Sequence, residues 1–279
     1  MDAPFVFREM KKFLTLFLLF CLALPSAFAA ENIRQTPVVE VVKNWSPSIV
    51  NISTEKIAFL RRQPFWGDYG DAFDSFFKEF YGRVQQVQAV KLRSVGSGVV
   101  IRKEGLIVTN AHVVNMANKV FVVFQNGKTV EGRVVLLNQR DDLAFLKMDP
   151  PFPLSPVTLA DPEGILIGET VISIGNPYGI GQSVSAGVVS GVKRFFSLPY
   201  SSHVFSDLIQ TDASINVGSS GGALLNLNGE LVGINLAIIQ NSQNIGFAVS
   251  PQKIKEGLDF YDAKQQIKNA QQDPPPKKK

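Results

Sequence analysis

At 279 residues, with 45% apolar and 19% charged side chains, the chain can bury one or two real cores and is too apolar to be disordered. Its formal net charge of +4 sits at the ends: setting aside Asp2, Arg8, Glu9, Lys11 and Lys12 removes three of 28 basic and two of 24 acidic residues, and the remaining excess of three is matched by Lys277, Lys278 and Lys279. No basic face is left for nucleic acid, which excludes that class of partner.

In chain order, Arg8, Lys11 and Lys12 precede an apolar run from Phe13 to Leu24 and the small-residue site Ala27-Phe28-Ala29. This is the pattern of a secretory signal peptide over residues 1–29, cut after Ala29. Met10 would begin a cleaner signal than Met1. The competing assignment is an uncleaved membrane anchor, for which the run is short. Cys21, the one cysteine, lies in that run. The cleaved chain therefore has no disulfide, no thiolate nucleophile and no cysteine metal site, and no metal or other cofactor is expected.

Residues 61–90 hold eight aromatics. Phe73, Phe76, Phe77 and Phe80 fall at i, i+3, i+4 and i+7, with Asp71 to cap and Gly82 to terminate, which predicts a short amphipathic helix. It either packs on its own domain or protrudes to dock on a neighbouring subunit or cover the active site. Beyond it the chain reads as short strands. "KVFVVFQNGKTVEGRVV" and "ALLNLNGELVGINLAII" each place apolar runs around Asn-Gly, at Asn126-Gly127 and Asn228-Gly229, where positive φ at both turn positions is tolerated. A third hairpin turns near Glu104-Gly105, and "ETVISIGNPYG" and "SVSAGVVSGVKRF" add strands. The proline-rich "DPPFPLSPV", residues 149–157, marks a boundary between two β halves. The expectation is an all-β fold of barrels or sandwiches, in two halves that meet at that boundary. A helix over 251–261 starts at Ser250-Pro251, and a solvated tail covers 263–279.

Only two histidines exist, His112 and His203. A serine hydroxyl needs a neighbouring base, and histidine, with an ordinary pKa of about 6.5, suits the task. The base needs a buried carboxylate to hold its tautomer. His112 in "IVTNAHVV", Asp142 in "RDDLAFLK" and Ser220 in "GSSGG" are the candidates. Asp141 is read as a solvated surface acid, His203 as a loop residue and Asp212 as a turn-former. The glycines let the backbone amides of Gly218 and Ser220, with Ser219 as a third, serve as an oxyanion hole. Gly218, Ser220 and Gly222 also fit G-x-S-x-G, but that nucleophile elbow needs a histidine after its serine, and none follows Ser220; the order His112, Asp142, Ser220 is that of chymotrypsin-type enzymes.

"TNAHVV", "DDLAFLK", "GNPYGIGQSVSAGVVS", "QTDASINVGSSGGALLNLNGELVGIN" and "GFAVSP" together resemble the HtrA branch of trypsin-like serine proteases over residues 38 to 258. The resemblance implies a chymotrypsin-like double six-stranded barrel, with an N-barrel over about 38–150, a C-barrel over about 155–250 and the active site between them. It also implies a periplasmic homotrimer that cleaves unfolded or damaged proteins without ATP, and it equates the aromatic 61–90 segment with the family's long regulatory loop. The chain departs from the pattern in three respects, one of them Val217, which replaces a residue that is often proline or charged. Only 59 residues follow Ser220, too few for the barrel's remainder, the final helix and a PDZ domain of ordinary size. Ser219 stands where asparagine is common. For specificity, Ser214 is not acidic, which argues against cleavage after Lys or Arg; Ile215, Leu236 and Ile238 would line a pocket for small to medium aliphatic residues. The competing class is a chaperone-like or peptide-binding scaffold with an idle triad.

Overall fold

Alternate residues along the strands enter different cores, and this organises the molecule. The computed structural model describes residues 34–58, 90–115, 117–176, 181–197, 203–216, 218–238 and 244–272. The signal segment 1–29, Val217, the tail from 273 and the aromatic residues Phe73, Phe76, Phe77 and Phe80 with Asp71 and Gly82 lie outside the described residues. Pro37 onward forms one compact unit. Helix α1 (Pro37–Trp45) and a 3-10 turn (Ser46–Ser48) lead into β1 (Ile49–Ala58), β2 (Val90–Arg102) and β3 (Leu106–Thr109). The single-turn α2 (Ala111–Val114) is followed by β4 (Lys119–Val123), β5 (Thr129–Asn138) and β6 (Leu143–Lys147). The second half holds β7 (Thr170–Gly175), β8 (Ser183–Ser197), β9 (Val204–Thr211), β10 (Ala223–Asn226), β11 (Leu231–Ile238), β12 (Gly246–Val249) and helix α3 (Pro251–Gln272).

The strands close into two antiparallel barrels, β1-β2-β3-β6-β5-β4 and β10-β11-β12-β9-β8-β7, so neither sheet has an open edge. In β6, Ala144 and Leu146 join Val50, Ile52, Ile107 and Val122 inside the first barrel. Leu143 and Phe145 point the other way, into a core shared with Ile172, Ile174, Leu225, Ile234 and Phe247 of the second barrel. Period-two alternation with both faces buried accounts for unbroken apolar runs such as "LAFL".

The three expected hairpins are present, but at the Asn-Gly pairs only the glycines take positive φ, Gly127 at +80° and Gly229 at +77°. Both connections are wider than two-residue turns because an asparagine side chain braces each: Asn126 Oδ1 accepts from Lys128 N–H, and Asn226 Oδ1 from Asn228 and Glu230 N–H. The 149–157 boundary is a strap. Val157 N–H donates to Val100 of the first barrel, and Ala160 N–H to Leu231 of the second.

Helix α3 runs to Gln272, correcting the expected end at 261 and the start of the tail at 263. Residues 263–272 hold good helix formers and no breaker before Pro274, the residue before which helices end. The helix clamps the first barrel. Gly257 lies where a Cβ would fall 2.6 Å from the buried Phe145 ring. The Arg102 guanidinium grips Asp262 with two bonds, of 2.7 and 2.5 Å. Those hydrogen bonds hold the Asp262 carboxyl below its ordinary pKa and raise that of Arg102. Among the described residues, no helix is long and apolar enough to cross a membrane.

Candidate active site

The β3–β6 ladder pairs Thr109 with Ala144, so the residues just beyond each strand end meet. On one side the chain turns through Asn110 into α2, which carries His112; on the other Asp142 precedes β6. Asp142 Oδ2 lies 2.5 Å from His112 Nδ1, and Oδ1 accepts the His112 backbone N–H at 2.8 Å. The Asp142 carbonyl accepts from Ala111 N–H at 3.1 Å and from Asn110 Nδ2 at 3.0 Å. A carboxylate only accepts, so the shared proton sits on Nδ1, and the neutral form of the ring is the tautomer with its lone pair on Nε2. Asp142 is 5% exposed and stands at φ +50°, a left-handed conformation that costs about 1–3 kcal/mol and that aspartate tolerates better than most residues. The four hydrogen bonds at its two ends hold it there.

Ser220 approaches from the second barrel, and its loop can be followed peptide by peptide. The 218–219 peptide gives its N–H to Asn216 O and takes Ser97 Oγ–H on its carbonyl, both at 2.9 Å. The 219–220 peptide takes Gly222 N–H on its carbonyl. The 220–221 peptide gives its N–H to Asn235 O and takes Ser97 N–H on its carbonyl. Among the described residues, the Gly218 and Ser220 amides donate to nothing. Gly218 holds φ +89° and Gly221 +82°, conformations that suit glycine. A Cβ at Gly221 would also fall on Ser97 O and Thr109 Oγ1, so the loop lies against the strand end that leads into His112. The Ser220 hydroxyl donates to the Leu236 carbonyl at 3.2 Å.

Two expectations are corrected. The Ser219 amide is not available as a third donor, because it closes a turn onto Asn216 O, and the Ser219 hydroxyl bonds the same residue, accepting from its N–H at 2.9 Å and donating to its carbonyl at 2.5 Å. Asp141 is not a solvated acid. It accepts from Asn138 Nδ2 at 2.8 Å and faces Lys253 Nζ of α3 at 3.8 Å, with 11% of its side chain exposed.

Of the pocket candidates, Ile215 and Leu236 are buried, whereas Ser214 is exposed and its carbonyl accepts Ser185 Oγ–H at 2.8 Å. Ile215 Cδ1 lies 2.9 Å from where a Cβ on Gly246 would stand, so Gly246 makes its room. Ile238 pairs with Gly246 in the β11–β12 ladder; its side chain lies outside the described residues. His203 packs edge-on to Phe205, and Asp212 accepts Val188 N–H at 2.6 Å. Ser97, Thr109 and Gly175 were not singled out by sequence. Gly175 leaves the space that Ser219 fills, its absent Cβ lying 2.7 Å from Ser219 Cα. Among the described residues, no group of three or more His, Cys, Asp or Glu side chains is placed to hold a metal ion.

A family model described as the trypsin-like peptidase domain matches residues 96–234. The chain is 38% identical over 236 residues to a probable periplasmic serine protease, do/HhoA-like, of Haemophilus influenzae, covering 81% of this chain and 49% of the relative. It is 34% identical over 247 residues to the periplasmic serine endoprotease DegP of Escherichia coli, covering 81% and 52%. It thus spans about half the length of these curated relatives. Among solved structures, the HtrA-type protease AlgW with a tripeptide superposes with a TM-score of 0.60 at 32% identity, covering 80% of this chain and 61% of that one. A serine endoprotease from Yersinia pestis superposes with a TM-score of 0.58 at 31% identity, covering 81% and 66%.

Proposed function

Since the chain belongs to the HtrA-type trypsin-like serine proteases, we propose that it is a periplasmic endopeptidase that cleaves unfolded or damaged polypeptides with His112, Asp142 and Ser220. The observation that carries this reading is the buried Asp142 carboxylate, which binds both the ring and the backbone N–H of His112. That double grip orients Nε2 as the base. Ser220 Oγ exchanges its long bond to Leu236 O for the imidazole, loses its proton to Nε2 and attacks the scissile carbonyl. The imidazolium, stabilised by Asp142, then returns the proton to the leaving amine, and water hydrolyses the acyl-enzyme by the same steps in reverse. The Gly218 and Ser220 amides receive the oxyanion, each worth about 3–4 kcal/mol in a dry site.

Ser214, Ile215, Leu236 and Ile238 form the proposed specificity pocket, which offers no charge and favours small to medium aliphatic residues. Residues 1–29 act as the export signal, the chain from 30 through helix α3 as the protease domain, and the working unit is a homotrimer. In the test, the mature protein degrades casein, and Ser220→Ala lowers turnover about a millionfold. If both proteins leave casein intact yet suppress aggregation, the scaffold reading replaces this one.

A further inference from the structure

Ser97 has no exposed surface, and every polar group it owns is engaged, its N–H and hydroxyl across the barrels and its carbonyl within its own. Its N–H donates to Ser220 O at 2.9 Å, and its carbonyl accepts Thr109 Oγ1–H at 2.6 Å. Its hydroxyl donates to Gly218 O at 2.9 Å and accepts Asn176 N–H at 2.9 Å. The N–H bond to Ser220 O already ties β2 to the second barrel. The hydroxyl does something separate: it reaches the carbonyl of the very peptide that follows the Gly218 amide.

We propose that Ser97 is a positioning residue that sets the oxyanion-binding orientation of the Gly218 amide. The inference rests on the hydrolase reading above. Gly218 stands at φ +89° and, lacking a Cβ, has wide rotational freedom of its own. Whether its N–H faces an incoming oxyanion is therefore decided by what holds its neighbouring peptide. Asn216 O fixes the N–H end of the 218–219 peptide from within the loop, and Ser97 Oγ fixes the carbonyl end from the opposite barrel. Without the hydroxyl, the Gly218 carbonyl loses its partner, and the glycine samples orientations in which the amide no longer points at the oxyanion. The same hydroxyl ties in the Asn176 peptide, so one side chain of the first barrel holds two segments of the second in register around the nucleophile.

The test is Ser97→Ala, which keeps both backbone bonds and removes only the hydroxyl, with Ser97→Cys as a near-isosteric second variant carrying a weak donor. Activity is measured on an aliphatic peptide substrate, per active site as counted by fluorophosphonate titration. The expected result is a kcat lowered about tenfold to hundredfold with KM within about twofold, and a smaller loss in Ser97→Cys. Affinity for a peptide boronic acid, whose boronate oxygen occupies the anion site, falls by the same factor, while affinity for the cleaved product peptide does not. The proposal is overturned if Ser97→Ala keeps kcat within twofold, or if its whole loss appears as fewer titratable sites at unchanged kcat per site. Should Ser97→Ala not fold, the same criteria apply to Ser97→Cys. A wild-type protein that hydrolyses nothing would overturn the hydrolase reading and this inference together; an active wild type with an indifferent hydroxyl would overturn this inference alone.

Discussion

Replacing Asp142 by asparagine isolates the carboxylate's chemical role from its structural one. Asparagine, like aspartate, tolerates the left-handed φ of +50° held here, so the backbone stays in place. Its carbonyl retains the Ala111 and Asn110 bonds, and one side-chain oxygen can still accept the His112 backbone N–H. The NH2 group then faces Nδ1, where Oδ2 now stands at 2.5 Å. Nδ1 must accept rather than donate, so the ring proton moves to Nε2 and the base is lost. Loss of the tautomer and of the imidazolium's counter-charge should lower kcat about ten-thousandfold, which at about 1.4 kcal/mol per tenfold is about 5.5 kcal/mol of barrier. Stability should change by only about 1 kcal/mol, the difference between a charged and a neutral acceptor. The assay is peptide hydrolysis at saturating substrate alongside a thermal melt. A folded Asp142→Asn protein retaining more than about a tenth of wild-type turnover would refute the reasoning.

Three further outcomes follow from packing and charge. Gly257→Ala should destabilise by about 1–3 kcal/mol, against the usual gain of an alanine in a helix, because the methyl group meets the buried Phe145 ring; a melting temperature lowered by about 3–10 °C is expected, and a raised one would contradict the contact. Gly229→Ala should cost about 1–3 kcal/mol, since φ +77° strains a side chain and the methyl would enter the Trp45 indole; denaturant titration followed by tryptophan fluorescence reads it, and an unmoved midpoint would count against the packing. Asp262→Asn should lower stability by about 1 kcal/mol or less at neutral pH, because both partners of the Arg102 pair are more than a third exposed. The Asp262 carboxyl is held below its unfolded value of about 3.9, so its contribution is present above that pH and fades as pH falls through the folded value; melts of the two proteins should converge in acid, and a gap that widens there would contradict the pairing.

The all-β class and its division into two halves could be read from the chain because their signals are local: Gly127 and Gly229 mark turns, and apolar runs such as that of β6 mark strands buried on both faces. The closure of each half into a barrel, which depends on pairing between distant strands, came only with the family resemblance. Candidate chemistry was legible through scarcity and order, with two histidines, one of them ahead of both Asp142 and Ser220. What stayed hidden depends on partners distant in sequence. Ser97 looks like an ordinary polar position in a glycine-flanked strand until Gly218, 121 residues on, is brought to its hydroxyl. Asp141 looks solvated until α3 delivers Lys253. The Ser219 amide looks available until the turn onto Asn216 closes. The hairpin turn type was misjudged because the asparagines that widen the loops do so with their side chains, a choice that φ preference alone does not reveal.

Stoichiometric labelling tests the hydrolase account most directly. Mature protein treated with a fluorophosphonate and mapped by mass spectrometry should carry one adduct per chain, on Ser220, with hydrolysis of casein lost in proportion. Labelling should be abolished in Ser220→Ala and slowed several thousandfold in His112→Ala. Continued casein degradation by a fully folded Ser220→Ala protein, or an adduct on a different serine that tracks the activity, would contradict it.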